Sequence, residues 1–433
     1  MENLSIEQLE VYNKYINSEN IFITGPGGCG KTYLIRLIVD HAKKNIKEYQ
    51  VCAMTGCAAI LLNCSAKTIH SWSGIGLANG NIDDIVFQVT NSRSKRSNWK
   101  KVEILIIDEI SMLSLKLFII LDKIARIIKK KPNIPFGGIQ LIFSGDFYQL
   151  PPVSNNIDDI ESNMFCFENE LWDETFKTPC FLKTIFRQKN DNQYSKILNE
   201  IRIGRLHRST CELLNKQVNK KYDNIIKPTI LFPRRSDVDN INKIEYNKLD
   251  GEEKSYKIES NKKLTDKDDL FSEIDKDYEI NYLTNNIMAE KNLSLKIGTI
   301  VMCVANIDMD SEFPIVNGSQ GTVIEFVGNL PKVKFTNGTT RVIAKHTWVS
   351  EKIKSTGVLQ IPLIYAWAIT IHKSQGVTLD VAMIDVGNSI FECGQTYVAL
   401  SRITSLDGLF LKGFNPLKIK VNKKVLEYYN KFN

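Results

Sequence analysis

Short apolar runs that end in glycine or acidic residues mark the first 150 positions of the chain. Residues 21–23 lead into a glycine-rich stretch, residues 104–107 lead into two acids, and residues 141–144 lead into Gly-Asp. Such runs are typical of parallel strands, because both faces of a parallel sheet are covered. From Tyr33 onward the apolar positions follow helical spacing. The pattern predicts an α/β fold in which these three strands lie beside one another.

A second set of apolar runs occupies the last part of the chain. Residues 379–386 and 408–411 predict strands, and residues 396–401 predict a helix between them. This is a second α/β layer, and it has no glycine loop of its own.

Between the two layers the pattern changes to short strands, from residue 296 to 343. Asn317-Gly318 and Asn337-Gly338 are typical of hairpin turns, so this stretch predicts a small β-barrel. Residues 250–291 are rich in Lys, Asp and Glu with few large apolar runs, which predicts an irregular, partly mobile connection. Residues 415–433 predict a short basic helix or a solvated tail.

Length and composition narrow the class of protein. The chain has 433 residues, enough for two or three domains, and its net charge of +7 permits a nucleic-acid partner without requiring one. Nine cysteines without a CxxC pair predict reduced thiols in an intracellular protein. We expect it in the nucleus or cytoplasm, and in the cytoplasm if it is viral or bacterial. No apolar stretch is long enough to span a membrane and no targeting signal is visible, so no membrane partner is expected.

The stretch GPGGCGKT is the strongest signal for chemistry. It matches GxxxxGK[ST] in full and lies between a predicted strand and a predicted helix. Its glycines let backbone N–H groups close around phosphate oxygens beside a helix N-terminus. We expect Lys31 to reach the β- and γ-phosphates of ATP, and Thr32 to ligate Mg²⁺. The candidate nucleotide-binding residues are Gly25, Pro26, Gly27, Gly28, Cys29, Gly30, Lys31 and Thr32.

Two acids follow the second apolar run. Asp108 and Glu109 come at the carboxyl end of a predicted strand, where open α/β sheets bind their ligands. Asp108 is expected to hold Mg²⁺ through water, and Glu109 to orient or deprotonate the attacking water. The pair favours ATP hydrolysis over a small-molecule kinase. Taken alone, the same acids are equally consistent with helix capping.

Gln149 follows the third apolar run, just before Pro151 and Pro152. The prolines fix the chain in an extended loop. With a phosphate nearby, the amide of Gln149 can orient water or register whether the γ-phosphate is present. A polar loop cap is the alternative interpretation.

Two arginines are candidates for arginine fingers. Arg187 follows an apolar run in TIFRQ, and Arg402 ends the helical stretch YVALSR. We expect both to come from the second lobe across a cleft. For either residue alone, a surface salt bridge is the alternative.

Taken in order, these motifs carry a resemblance. Gln8, GPGGCGKT, TIHSW, LIIDEISM, PFGGIQLIFSGDFYQLPPV, FRQ, TIHKSQG and YVALSR together resemble the Pif family of DNA helicases, superfamily IB enzymes related to RecD. The resemblance extends over nearly the whole chain, from Gln8 to about Gly413, and is weakest in the middle insert. The segment LDKIARIIKKKPNIPFGGIQLI resembles the signature of the Pif family itself, which favours that family over RecD-type helicases.

The resemblance implies two RecA-like parallel-sheet lobes that hydrolyse ATP with Mg²⁺ in their cleft. It implies 5′-to-3′ translocation on single-stranded DNA, unwinding of 5′-tailed duplex in replication, repair or recombination, and a role for Gln8 at the adenine. It further implies a small wedge insert in the first lobe and an SH3-like barrel insert in the second. The expected domains are 1–180 with the wedge at about 75–90, 181–248, 249–352 with the barrel at about 295–345, and 353–433. G-quadruplex DNA is a further candidate partner, and we expect a monomer.

The resemblance also assigns a DNA side to each lobe. Small donors and a stacking ring are typical of single-strand binders. The candidate contacts are Thr55, Thr68, His70, Ser71 and Trp72 in the first lobe and Thr370, His372 and Lys373 in the second, with Gln375 and Gly376 linking that surface to ATP. Core packing is the alternative for His70 and Trp72. The basic stretch from 92 to 101 predicts either a phosphate-attracting segment or a solvated loop.

Two other functions compete with a helicase. One is an ATP-regulated single-strand-binding protein that switches conformation without unwinding. The other is a metabolic kinase with the same glycine loop, against which the second lobe and TIHKSQG argue.

Overall fold

The computed structural model describes residues 4–62, 64–76, 78, 80–152, 159–222, 228–264, 271–307, 315–350 and 353–432. Internal contacts divide the chain into two compact units. The first comprises Met1–Arg205, Glu392–Val398 and Ile419–Asn433, and the second comprises Leu206–Phe391 and Ala399–Lys418. The predicted boundaries at 180 and 353 need correction, because the chain stays in the first unit as far as Arg205 and later returns to it twice.

Within the described ranges the strands are β1 (Ile21–Thr24), β2 (Tyr49–Ala53), β3 (Lys67–Thr68), β4 (Ile104–Asp108), β5 (Gln140–Gly145), β6 (Cys180–Phe181), β7 (Thr229–Phe232), β8 (Lys254–Lys257), β9 (Glu259–Asn261), β10 (Asn292–Leu295), β11 (Ile300–Cys303), β12 (Gln320–Val327), β13 (Leu330–Phe335), β14 (Thr340–Val342), β15 (His346–Val349), β16 (Gly357–Gln360), β17 (Leu363–Tyr365), β18 (Ala368–Thr370), β19 (Ala382–Val386) and β20 (Leu409–Phe414).

The α-helices of the same ranges are α1 (Ile6–Ile16), α2 (Lys31–Lys44), α3 (Gly56–Leu62), α4 (Ile69–Ser73), α5 (Ile82–Asn91), α6 (Arg93–Lys101), α7 (Leu115–Lys129), α8 (Ile160–Asn163), α9 (Glu170–Thr175), α10 (Asn192–Ile203), α11 (Arg208–Gln217), α12 (Arg235–Asn247), α13 (Glu273–Asn286), α14 (Gln395–Leu400) and α15 (Lys423–Asn430).

The first unit is built on a parallel sheet, with the strand order β3-β2-β4-β5-β1-β6 among the described residues. The three predicted strands are β1, β4 and β5, and they are neighbours: Ile142 of β5 pairs with both Ile21 of β1 and Ile106 of β4. Because all three run in the same direction, their carboxyl ends meet at one edge of the sheet. The predicted arrangement of the first RecA-like lobe is confirmed.

Aromatic side chains fill one face of this sheet. Phe118 of α7, Phe143 of β5 and Trp172 of α9 are fully buried, and their ring centres lie 5.5 to 6.2 Å apart. Burying one such side chain contributes roughly 2–3 kcal/mol to folding. The packing of these rings holds β5, the strand that leads to Gln149, in place against α7 and α9.

The segment around the predicted wedge packs as two helices. Ile85, Val86 and Val89 of α5 are buried in the core of the first unit. The basic stretch that follows is helix α6, so the predicted solvated loop is wrong. It is anchored by Trp99, which is fully buried with its ring 4.7 Å from that of Trp72. Residues 77 and 79 lie outside the described residues, and a wedge role for about 75–90 stays a prediction.

The end of the chain is part of the first unit. The predicted basic helix is confirmed as α15, but it is no solvated tail, because Val425, Tyr428 and Tyr429 are buried. The Tyr429 hydroxyl hydrogen-bonds the Thr24 hydroxyl at 2.7 Å, and the Tyr428 hydroxyl accepts from Trp172 Nε1 at 3.0 Å. The last helix therefore supports β1 directly beneath the glycine loop.

The second unit contains a smaller parallel sheet of order β18-β7-β19-β20 in the described part. The predicted strands are present as β19, which begins at Ala382, and β20. Asn242 of α12 covers the edge at β18: its side chain accepts from Ala368 N at 2.9 Å and donates to Ala368 O at 3.0 Å. Closing the edge in this way leaves no backbone groups of Ala368 open to another strand. The two parallel sheets agree with two RecA-like lobes.

The predicted β-rich insert forms an antiparallel sheet, ordered β14-β13-β12-β11-β17 in the described residues. Its core includes the buried side chains of Val301, Val323, Val333 and Phe335. The predicted Asn337-Gly338 turn joins β13 to β14, and Gly338 has φ +86° there. Residues 308–314 lie outside the description. An SH3-like topology for this insert stays a prediction.

The charged segment from 250 to 291 is more regular than expected. It contains β8, β9 and α13; β8 pairs with β10 and β9 pairs with β16. Helix α13 begins with a capping box between Ser272 and Asp275. The hydrophobic pattern does not indicate these strands, because Tyr256 is the one buried residue of β8 and a single apolar position shows no alternation. Residues 265–270 lie outside the described part. None of the helices that the structure describes combines the length and apolar character needed to cross a membrane.

Candidate nucleotide site and nucleic-acid surface

The glycine loop joins β1 to α2 in the first unit. Gly28 and Gly30 both have φ +84°, in the left-handed region that favours glycine. Neighbouring side chains also require glycine at both positions: a Cβ on Gly28 would lie 2.6 Å from Arg187 Cβ, and one on Gly30 would lie 2.6 Å from Gln8 Nε2. Gly30 caps α2 without a side-chain bond, so the first N–H groups of the helix are available to an anion.

Lys31 opens helix α2 with its side chain turned over its own loop. Its Nζ donates to Gly25 O at 2.7 Å and to Pro26 O at 3.0 Å. The ammonium is therefore held among the loop carbonyls, within reach of any phosphate that the loop binds. Thr32 follows directly on the same helix and is partly buried.

The acidic pair stands at the end of β4. Asp108 is 7% exposed, and burial raises the pKa of its carboxyl group, while Ser144, the Glu109 N–H and Lys31 act in the opposite direction. Glu109 has φ +57° and begins a short 3₁₀ turn. A side chain on Gly145 would lie 2.9 Å from Ile110 N, so glycine there lets this turn approach β5.

Gln149 lies in a turn at the end of β5. It is 5% exposed, and its N–H donates to Asp146 O at 2.9 Å. Asp146 is fully buried and pairs with Arg202 of α10. The Arg202 guanidinium also lies 4.5 Å from the centre of the Tyr148 ring. The sequence does not indicate Arg202 as a site residue, since nothing in the local pattern of α10 points to a partner 56 residues away.

Arg187 belongs to the first unit, so the prediction that it comes from the second lobe is wrong. The short strand β6 adds to β1, and Leu182 N then donates to Thr24 O at 2.8 Å. This pairing directs the chain over the glycine loop, where Phe186 N donates to Gly28 O at 2.9 Å. Arg187 is thereby held beside Gly28 within its own unit.

Gln8 lies next to the same loop. It is 2% exposed, with its Nε2 directed at Gly30. Its Oε1 accepts from Ser5 N at 3.1 Å in a capping box that starts α1. The half-exposed ring of Phe186 also lies close to Gly30: a Cβ on Gly30 would be 3.4 Å from Phe186 Cε2. Gln8 and Phe186 therefore both lie next to Gly30, and the sequence motifs indicate only Gln8.

Tyr397 is a second residue that sequence reasoning missed. It lies in the segment Glu392–Val398 of the first unit and is 2% exposed. Its hydroxyl accepts from Gly27 N at 2.8 Å. A bond across 370 positions leaves no trace in the spacing of the sequence.

Three of the predicted residues at the DNA side of the first unit have structural roles. Trp72 is 4% exposed against Trp99, which corrects its prediction as a stacking ring. Thr68 caps α4 by accepting from Ser71 N at 3.2 Å, and Thr55 accepts from Ala58 N at 3.2 Å. His70 is partly buried, and burial lowers its imidazole pKa. Thr55 follows β2, Thr68 ends β3, and His70 and Ser71 come directly after it, at the edge of the sheet that carries Asp108.

The second unit carries the remaining candidates. Thr370 and Lys373 line a cleft of about 340 Å³ beside α12, and Lys373 is exposed. Gln375 Nε2 is buried without a hydrogen-bond partner in the described part of the chain. Gly376 has φ +77°, and His372 is partly buried. These residues follow β18, at the carboxyl edge of the second parallel sheet.

Arg402 follows α14 in the second unit and is 3% exposed. Its Nη2 donates to Ser401 Oγ at 2.9 Å, and its carbonyl accepts from Leu379 N at 3.0 Å. Arg402 lies in the second unit, and its role as an arginine finger stays a prediction.

Comparison with known proteins decides the family. The PIF1-like helicase model matches residues 3–212, and the model of the DNA helicase Pif1 2B domain matches residues 280–326. The crystal structure of Pif1 helicase from Candida albicans is 34% identical with a TM-score of 0.76, and all of both chains is covered. The chain belongs to the Pif1-like helicase family. The 2B match begins within α13 and includes the first strands of the antiparallel insert.

Other members of the Pif1 family are similar to this chain over nearly all of its length. The ATP-dependent DNA helicase PIF1 of Xenopus laevis is 35% identical over 99% of this chain and 64% of its own length. The chain thus spans less than two thirds of that curated relative. Bacteroides sp Pif1 in complex with ADP-AlF4 is 28% identical with a TM-score of 0.79, covering 99% and 97% of the two chains. A Bacteroides Pif1 bound to single-stranded DNA is 29% identical with a TM-score of 0.65, with the same coverage.

Proposed function

We propose that this chain is an ATP-driven DNA helicase that moves 5′-to-3′ on single-stranded DNA and unwinds duplex. One observation carries the proposal: β4, β5 and β1 are neighbours, so the acidic pair, the Gln149 turn and the glycine loop share one edge of a parallel sheet. Its relatives include the ATP-dependent DNA helicases PIF1 and RRM3, which supports the same activity. Its process is DNA replication, repair or recombination.

The residues at this edge divide the work of hydrolysis. Lys31 leaves the carbonyls of Gly25 and Pro26 to neutralise charge on the β- and γ-phosphates. Glu109 orients the attacking water or accepts its proton, and Gln149 registers the γ-phosphate. Arg187, beside Gly28, and Arg402 of the second unit stabilise the charge that develops on the transferred phosphoryl group.

The donor set at this edge fits Mg²⁺. The Thr32 hydroxyl and the Asp108 carboxylate are hard oxygen ligands, and Mg²⁺ sites at phosphates use one or two protein oxygens with water and substrate for the rest. In the described residues there is no group of three or more His, Cys, Asp or Glu side chains arranged to hold a metal. Mg²⁺ would supply charge neutralisation, while Asp108, kept in position by burial at the end of β4, would orient it.

The base of the nucleotide lies against Gln8 and Phe186, the two residues next to Gly30. The amide of Gln8 can read the adenine edge, because its Nε2 faces the loop while its Oε1 is occupied by Ser5 N. The ring of Phe186 offers a stacking surface that is 44% exposed.

Single-stranded DNA runs along the carboxyl edges of both sheets. Thr55, Thr68, His70 and Ser71 contact it in the first unit, and Thr370, His372 and Lys373 in the second. Gln375 and Gly376 relay the presence of DNA to the nucleotide, and the buried Gln375 Nε2 needs a partner in the complex. 5′-tailed duplex is the unwound substrate, G-quadruplex DNA is a further partner, and the working form is a monomer.

The test is ATP turnover by the purified chain, with and without a single-stranded DNA oligonucleotide, followed by displacement of a labelled strand. A helicase increases its turnover with DNA and displaces the strand when ATP is present. Turnover with DNA but no displacement would support the alternative of a single-strand-binding switch. Phosphate transfer to a small acceptor in place of water would support a kinase.

A further inference from the structure

Tyr397 joins the glycine loop to the turn that carries Gln149. Its hydroxyl accepts from Gly27 N at 2.8 Å. Three residues earlier, Gly394 packs against that turn: a Cβ there would lie 2.5 Å from both Tyr148 O and Gln149 O. Gly394 has φ +73° and its N–H donates to Lys420 O at 3.3 Å. The segment that presents Tyr397 therefore lies closely against the carbonyl groups of Tyr148 and Gln149.

The Tyr397 hydroxyl can still donate. A phenol accepts and donates one hydrogen bond at once, and the bond from Gly27 uses only its acceptor side. Burial raises the pKa of Tyr397, so the proton is present at neutral pH. The nearby carboxylate of Asp146 is already engaged by two nitrogens of Arg202, at 2.7 and 2.8 Å. Among the residues that the structure describes, the hydrogen-bond partner of the Tyr397 hydroxyl is Gly27 N.

The position of the hydroxyl indicates which phosphate it can meet. Gly27 belongs to the loop whose N–H groups surround the phosphates, and Gln149 is the residue proposed to register the γ-phosphate. Tyr397 is bonded to the first, and its segment is packed on the second. A group held between these two lies on the γ-phosphate side of the loop.

We propose that Tyr397 contacts the nucleotide. Its hydroxyl donates a hydrogen bond to an oxygen of the γ-phosphate while it accepts the hydrogen bond from Gly27 N. This role rests on the proposed function of the same site. It makes Tyr397 a specificity residue, because a diphosphate has no γ-oxygen to accept the bond. The ligand class is a nucleoside triphosphate, distinguished from its diphosphate product.

The test compares two buried phenols of the first unit. Tyr397→Phe removes the hydroxyl at the loop, and Tyr428→Phe removes the one that accepts from Trp172 Nε1 in the core. Dissociation constants are measured for ADP and for a non-hydrolysable ATP analogue, both with Mg²⁺. We expect Tyr397→Phe to weaken binding of the analogue about tenfold, as the loss of a hydrogen bond to a charged group does, and to change ADP binding less than twofold. Tyr428→Phe should leave the ratio of the two constants unchanged.

Unchanged ADP binding in the same sample shows that the Tyr397→Phe loop is folded. An equal loss for both nucleotides, no loss, or tighter binding of the analogue would overturn the role of Tyr397. A wild-type chain that binds neither nucleotide would overturn the proposed function itself, which is a different result from an altered ratio.

Discussion

Arg202 holds Asp146 with two parallel hydrogen bonds, from Nε to Oδ2 at 2.7 Å and from Nη2 to Oδ1 at 2.8 Å. The carboxylate is fully buried, and the guanidinium lies against the Tyr148 ring. Two bonds in one plane fix orientation as well as distance. Since Asp146 O also accepts from Gln149 N, the pair sets the geometry of the turn that carries Gln149.

Arg202→Ala should destabilise the first unit by about 3–5 kcal/mol, because it leaves a buried carboxylate without its partner. Arg202→Lys should lose less, since it keeps the charge but not the paired geometry. Urea unfolding followed by tryptophan fluorescence measures both changes. Lys123→Ala is the matched control, because its ion pair with Asp83 is exposed. A loss below about 1 kcal/mol for Arg202→Ala would show that the pair does not hold the Gln149 turn in place.

The sequence predicts the strands at the centre of the site because their signals are local. A run of four apolar residues before Asp108 already defines a buried strand and its end. The sequence predicts that these three strands lie beside one another, whereas the central position of β5 is known from the structure. Hydrophobic spacing likewise indicates α2 and most of α14.

The residues that the sequence does not predict depend on distant partners. Trp72 resembles a stacking ring until Trp99 is found beside it. Tyr429 resembles part of a polar tail, yet it bonds Thr24, 405 positions away. Arg187 belongs to the first unit only because β6 pairs with β1. In each case tertiary packing, which local periodicity does not contain, decides the role.

Lys31→Ala should abolish most ATP turnover while the fold persists. It removes the ammonium that neutralises the β- and γ-phosphates, and its present bonds to Gly25 O and Pro26 O are replaceable by water. Turnover is measured alongside thermal unfolding. Lys44→Ala, at the exposed end of the same helix, should behave as wild type. Normal hydrolysis by Lys31→Ala would show that the glycine loop is not the nucleotide site.

Arg187→Ala and Arg402→Ala should each bind ATP but hydrolyse it slowly. An arginine that stabilises transferred phosphoryl charge contributes on the order of 10³ in rate. Single-turnover hydrolysis and nucleotide binding, measured separately, distinguish this loss from weak binding. Arg93→Ala, an exposed arginine at the start of α6, is the control. Either variant that turns over at the wild-type rate excludes its arginine from catalysis.

Gln149→Ala should uncouple DNA from hydrolysis. Its amide can donate and accept, so it can report the γ-phosphate without being the main phosphate ligand or the base. We expect near-normal affinity for ATP and for DNA when each is measured alone. The ratio of ATP turnover with DNA to turnover without DNA should fall, and unwinding with it. If that ratio equals the wild-type value, Gln149 is only a polar cap of the loop.

Strand displacement on tailed duplexes tests the central claim most directly. Two DNA substrates share the same duplex and differ only in whether the single-stranded tail is 5′ or 3′. With ATP and Mg²⁺, the wild-type chain should displace the strand of the 5′-tailed substrate and leave the 3′-tailed one largely intact, while Lys31→Ala displaces neither. Efficient displacement from the 3′ tail alone, or from neither tail by a chain that hydrolyses ATP, would contradict a 5′-to-3′ helicase.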